Sequence, residues 1–200
     1  MPALATVTLN PAVDKNTSID RVIADDKLRC APPSREPGGG GINVSRAVHR
    51  LGGAAQALYP SGGPTGTTLE NLLSQESLSH RPVSIRDWTR ENLIVSETST
   101  GRQFRFGMPG PTLTAAEVEA CLEALRAVDP TPEYLVASGS LPPGVPGDTY
   151  TAVAKTARAL GARPILDTSG AALREARAAG WYLLKPNLRE LQQLAGRTLE

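Results

Sequence analysis

Cysteine is nearly absent. Cys30 and Cys121 are the only two in 200 residues, and neither belongs to a CxxC or Cys/His spacing. That speaks against a disulfide framework and a zinc site, and the redox context reads as reducing and cytoplasmic. An excess of charge of one sign is lacking too. Lys and Arg number 21 against 20 Asp and Glu, a formal net charge of +1. No polyanion such as nucleic acid is implied as a partner, although scattered Arg and Lys can still hold a small phosphate ligand. No apolar run approaches a membrane span. The start, Met1 to Asn10, lacks a basic region, so no signal peptide is expected. No repeat of fixed period is visible. What is plentiful is hydrophobic residues, at 40%, enough for a sizeable core, and 19 Gly with 17 Pro clustered into tight loops.

The order of apolar patterns predicts a fold. Residues 5–9 read as a short strand broken by Asn10-Pro11, and residues 54–59 as another. Val44, Ala47, Val48 and Leu51 keep a helical spacing that Gly52-Gly53 ends. A second helix is expected over 65–77, and a hairpin over 92–106 turning near Ser99-Thr100-Gly101. From Thr114 onward the rhythm is regular. A capping box, Thr114 to Glu117, opens a helix. Strands at 134–137, 164–166 and 181–184 then alternate with helices at 148–160, 171–178 and 188–194. Such alternation predicts an α/β fold, a parallel sheet with both faces covered by helices. Two strand-rich pieces, 12–35 and 86–107, interrupt it and predict a small separate sheet within the 1–200 domain. Trp88 and Trp181 read as packing residues, and His49 as structural.

Five stretches carry candidate chemistry. Gly38-Gly39-Gly40-Gly41 followed by Ile42-Asn43 puts a flexible backbone ahead of a helix N-terminus, whose free N–H groups favour anions. A ligand-free tight turn is the alternative, but four glycines exceed what a turn needs. The run is neither a Walker A loop nor a dinucleotide GxGxxG. Asp14, just past a strand, can accept bonds from hydroxyls or serve as an ordinary turn residue. Lys27, Arg29, Arg90, Arg102 and Arg105 lie in the strand-rich pieces and suit phosphate as readily as a solvated face. Ser138-Gly139-Ser140 follows a buried strand, where α/β sheets place ligands, or forms a rigid turn. Asn187 and Glu190 share the first turn of a helix after Lys185-Pro186. They could hold a hydrated Mg²⁺ beside a nucleotide, or simply cap the helix.

In this order the motifs resemble the PfkB/ribokinase family of carbohydrate kinases. The resemblance runs from Thr8–Asp14 through Lys27-Leu28-Arg29, Glu36–Arg46, Asp87–Asn92, Phe104-Arg105-Phe106 and Ser138–Gly144 to Lys185–Glu190. Gly40 stands where related 1-phosphofructokinases and tagatose-6-phosphate kinases carry lysine. With Glu36-Pro37 and Asp87–Arg90, this points to the minor 6-phosphofructokinase branch. The resemblance implies a ribokinase-like fold with a small β-sheet lid that closes the sugar site and dimerises. Asp14, Gly39, Gly40, Asn43, Ser138 and Ser140 would line the sugar, and Arg90 and Arg105 would hold its phosphate. Lys27 would approach phosphate groups, from a partner subunit. Lys185, Asn187 and Glu190 would serve ATP and Mg²⁺. The family's Gly-Ala-Gly-Asp, which carries the catalytic base, does not occur in these 200 residues. It is expected beyond Glu200, so the fold is expected to lack its C-terminal part and the chain alone to turn over little. A non-catalytic sugar-phosphate-binding protein is the contrasting expectation.

Overall fold

A computed structural model describes residues 4–198. Its elements, in chain order, are β1 (Leu4–Val7), β2 (Ala12–Ile19), β3 (Ser34–Gly38), α1 (Gly40–Arg50), β4 (Ala55–Ser61), α2 (Gly63–Gln75), β5 (Ser79–Ser84) and β6 (Arg90–Glu97). There follow β7 (Gln103–Phe106), α3 (Ala115–Arg126), β8 (Tyr134–Ser138), α4 (Thr149–Ala159), β9 (Arg163–Asp167), α5 (Gly170–Ala176), β10 (Leu183–Leu184) and α6 (Leu188–Ala195).

Six strands form a parallel sheet in the order β10-β9-β8-β1-β4-β5. Alternation along the central strand explains its two covered faces. Ala5, Val7 and Leu9 join Leu125, Tyr150, Val153 and Leu173 from α3, α4 and α5 in one core. Thr6 and Thr8 point the other way, toward α1. The buried Thr6 hydroxyl meets Ser45 Oγ at 2.8 Å, and Thr8 Oγ1 accepts from the Ile42 amide at 2.9 Å. Ile42, Leu69 and Leu73 of α1 and α2 complete the second core with Ala57 and Tyr59.

The other four strands form the small sheet in the order β3-β2-β6-β7. It leaves and rejoins the main fold between β1 and α1, and again between β5 and α3. All these junctions lie at the C-terminal edge of the parallel sheet, so the small sheet stands over that edge.

Some expectations change. The buried side of α1 is Gly41, Ile42 and Ser45 rather than Val44, Ala47, Val48 and Leu51, and Leu51 is 87% exposed. Thr6 of β1 and Thr8 just past its end dictate that choice by bonding the helix. β5 was not expected, because Ser-His-Arg-Pro-Val-Ser shows no apolar alternation. It pairs only with β4, and an edge strand tolerates Pro82. Trp88 does not pack into a core; its ring crosses the bare face of Gly63 and stays 64% exposed. Trp181 does pack against the larger core. No helix among the described residues is long and apolar enough to cross a membrane.

Candidate active site at the C-terminal edge of the sheet

From β1 the chain proceeds outward to β4 and β5, whereas from β8 it proceeds to β9 and β10 on the other side. The order therefore switches direction between β1 and β8. Loops after those two strands diverge and leave a crevice, the place where open α/β sheets take ligands. The glycine run and Ser138-Gly139-Ser140 both lie there. Close packing joins them: a Cβ on Gly40 would fall 2.3 Å from Ser138 Oγ and 2.9 Å from the Ser138 carbonyl carbon. Gly39 is the N-cap of α1 at φ +121°, and a side chain there would meet Thr8 and Pro11. Packing thus accounts for these glycines in the absence of any ligand. The N-terminus of α1 nonetheless opens onto the crevice, with Asn43 exposed in its first turn.

A line of polar contacts crosses the strand ends. Buried Ser138 donates to Asp167 Oδ2 at 3.2 Å, and Lys185 Nζ pairs with Asp167 Oδ1 at 3.3 Å. The Gly139 carbonyl accepts from Tyr150 and Thr168 at 2.9 and 2.7 Å, which fixes the turn after β8. Burial raises the Tyr150 phenol pKa well above its ordinary range, so it donates as a neutral hydroxyl. Ser140 accepts from the Asn10 amide at 3.0 Å.

The small sheet carries a cavity of its own. Asp14, Asn92 and Arg105 line one cavity of about 240 Å³ with Ile94, Phe106 and Gly107. Arg105 is exposed and bonds only Gln103, at 3.1 Å, so most of its donors are free. Arg90 is used differently from the phosphate role implied for it. Its guanidinium donates to the carbonyls of Asn10 at 3.0 Å, Met108 at 2.9 Å and Pro11 at 3.4 Å. It thereby staples together two of the four connections between the sheets, the one after β1 and the one after β7. Burial lowers its pKa, with Asp14 acting in the opposite direction.

Lys27 lies in the exposed loop between β2 and β3, beyond Ile19. Asp14 to Ile19 alone spans about 17 Å of strand, so Lys27 sits beyond the far end of β2 from Asp14. Asn187 and Glu190 form a reciprocal capping box, each accepting the other's amide, at 2.9 and 2.8 Å. Helix capping therefore uses one atom of each side chain and leaves Glu190 Oε1 and Asn187 Nδ2 outside the cap. Among the described residues no group of three or more His, Cys, Asp or Glu clusters as a metal cage. A Mg²⁺ held mainly through water and nucleotide phosphates needs no cage. Glu190, with one carboxylate oxygen outside the cap, and the exposed Lys185 fit that arrangement.

Asn92, Asp167 and Asn10 had not been singled out. Asn92 shares a strand face with Arg90 by simple alternation, and Asp167 ends a parallel strand beside Ser138; both signals were present in the sequence. Asn10 is buried, and its Oδ1 has no partner among the described residues. A larger cavity, of about 330 Å³, opens at the opposite edge beside Leu4, His49, Ser79 and Asp129 and contains none of the candidate residues.

The family profile described as "pfkB family carbohydrate kinase" matches residues 6–200. The chain is 47% identical over 198 residues to "ATP-dependent 6-phosphofructokinase isozyme 2" of Mycobacterium tuberculosis, covering 99% of this chain and 58% of that protein. It is 44% identical over 200 residues to the Escherichia coli protein of the same name, covering 100% of this chain and 64% of that one. Phosphofructokinase-2 from E. coli in complex with fructose-6-phosphate superposes with a TM-score of 0.94 at 43% identity, over 100% of this chain and 66% of that one. The chain therefore spans a little under two thirds of the length of these relatives. On the family match, the fold and the chemistry gathered at the switch point, the chain belongs to the pfkB family of carbohydrate kinases.

Proposed function

We propose that the whole protein transfers the γ-phosphoryl group of ATP to the 1-hydroxyl of fructose 6-phosphate. The observation that carries this reading is the shared cavity of Asp14 and Arg105 on the small sheet, a hydroxyl acceptor beside a guanidinium with most of its donors unused. A carboxylate and a guanidinium suit the two ends of a phosphorylated sugar. Relatives named as 6-phosphofructokinases support the choice of sugar.

In this reading Asp14, the Gly39–Gly40 backbone, Asn43, Ser138 and Ser140 bind and orient the sugar, and Arg105 takes its phosphate. Arg90 contributes mainly by holding the small sheet, here a lid, over the crevice. Lys185 would receive a nucleotide phosphate, and Asn187 and Glu190 would hold the hydrated Mg²⁺ through the atoms left outside the cap. The metal, when bound, would neutralise charge on the phosphates being transferred. The α1 N-terminus adds positive potential on the sugar side. Proton removal from the sugar hydroxyl needs a base, assigned to the Gly-Ala-Gly-Asp motif absent from these 200 residues. The lids of two subunits pair, which brings Lys27, in the exposed loop beyond β2, to the partner's crevice. The enzyme is placed in the cytoplasm.

The test is ATP-dependent turnover by the whole protein on fructose 6-phosphate, fructose 1-phosphate and tagatose 6-phosphate. The expected result is a kcat/KM for fructose 6-phosphate at least about tenfold above the others, a difference of ~1.4 kcal/mol in transition-state binding. Preference for another sugar phosphate would move the assignment within the family. Absence of turnover on all three, with retained binding, would replace the enzyme by a binding protein.

A further inference from the structure

Asp14 is held by a side chain that the sugar-binding set does not include. Asp14 on β2 and Asn92 on β6 sit opposite each other in register. Asn92 Nδ2 donates to Asp14 Oδ1 at 2.8 Å, and Asn92 Oδ1 accepts from the Met108 amide at 3.1 Å. A backbone N–H can only donate and a carboxylate can only accept. The two bonds therefore dictate one orientation of the Asn92 amide. A flipped amide would set oxygen against oxygen at Asp14 and N–H against N–H at Met108. The Met108 carbonyl is held by Arg90 at 2.9 Å, so this peptide segment is clipped on both sides by β6 side chains.

The carboxylate has no room to turn away. It lies against Gly38, where a Cβ would come within 2.6 to 2.7 Å of Oδ2, Cγ and Oδ1. One oxygen is committed to Asn92, and the other has no hydrogen-bond partner among the described residues. The charged groups around the pair are Glu36 opposite on β3, Arg46 on α1, Arg90 on β6 and Arg105 on β7.

We propose that Asn92 is a positioning residue for sugar recognition, holding the Asp14 carboxylate so that its second oxygen meets a sugar hydroxyl. The proposal rests on the reading of Asp14 as a sugar ligand. Asn92 does not touch the sugar; it acts through Asp14. It also ties that carboxylate to Met108, where the chain leaves the small sheet, so sugar contact and the seating of that sheet share one set of bonds.

The test uses the whole protein with Asn92→Ala, Asn92→Asp and, separately, Asp14→Asn, reading KM and kcat for fructose 6-phosphate against pH. Asn92→Ala should raise KM about tenfold or more, the usual cost of a lost bond to a charged group, with a much smaller change in kcat. Asn92→Asp places a second carboxylate at hydrogen-bond distance from the first. Its KM should be high near pH 8 and fall back toward the parent value near about pH 5.5, because a shared proton restores the missing donor. A merely structural role would leave the pH profile parallel to the parent's. If Asp14→Asn raises KM while neither Asn92 variant does, or if the Asn92→Asp profile stays parallel, the positioning role is overturned. If Asp14→Asn itself leaves KM unchanged, the reading of Asp14 fails, and this inference with it. Should Asn92→Ala fail to fold, the isosteric Asn92→Asp profile decides alone.

Discussion

Substituting Gly40 by alanine tests whether the glycine loop is built for packing. Gly40 is the first residue of α1, and its backbone is of a kind any residue adopts. On conformational grounds alanine should therefore stabilise, by about 0.5–1 kcal/mol. Sterics oppose that gain. The new methyl would sit 2.3 Å from Ser138 Oγ and 2.9 to 3.0 Å from the backbone of Ser138 and Gly139. The hydroxyl can rotate away only by giving up Asp167, and the backbone cannot retreat, because the Gly139 carbonyl is held from two sides. Overpacking costs about 1–3 kcal/mol, and the lost hydrogen bond about 1 kcal/mol more. The net loss is about 2 kcal/mol, a fall in Tm of roughly 4–8 °C for a domain of this size. Thermal unfolding followed by circular dichroism measures it. Gly107→Ala, where a Cβ meets nothing within 4 Å, is the control and should hold Tm or raise it slightly. A Gly40→Ala protein as stable as its parent would refute the packing argument, as would an equal loss at Gly107.

The ion pair of Arg46 with Glu76 predicts an acid limit to stability. Arg46 donates to both Glu76 oxygens at 2.6 to 3.1 Å, and this hydrogen bonding holds the Glu76 carboxyl below its ordinary value of 4.5. A depressed carboxyl contributes stability that is present above its unfolded pKa and lost as pH falls through the folded one. Glu76→Gln should therefore cost about 1–2 kcal/mol at pH 7. Its Tm should also fall less steeply than the parent's below about pH 4.5, as thermal melts across that range would show. Arg90→Lys keeps the charge but loses the fork that reaches three carbonyls. Limited proteolysis should then cut faster near residues 10–11 and 107–110, while the core of the parallel sheet stays protected.

How much was legible depends on how local each cause is. The helix from Thr114 was readable because its start signal is complete within four residues, and both bonds of the capping box form. Alternation of strands and helices gave the parallel sheet for the same reason. The small sheet was legible as an interruption, but its strand order joins residues about eighty apart, as in the pairing of β2 with β6. The glycine run was visible as a loop, yet the reason for it lies in Thr8 and Ser138, far away in the chain. Asn187 and Glu190 fit two readings because the same Asn-x-x-Glu spacing serves a cap and a metal, and the structure uses it for the cap. Arg90 could be picked out as a cation near the site, but not as the staple of two connections. Only the folded chain brings Asn10 and Met108 within its reach.

Calorimetric titration of fructose 6-phosphate into the whole protein and into its Asp14→Asn and Arg105→Ala variants most directly tests the proposed sugar-phosphate cavity. The parent should bind, and each variant should bind at least about tenfold more weakly, as befits the loss of a charge-assisted contact. Arg105→Ala should in addition lose most of the preference for fructose 6-phosphate over unphosphorylated fructose. Unchanged affinity in both variants would contradict the account, because it would leave the cavity between Asp14 and Arg105 with no sugar phosphate to hold.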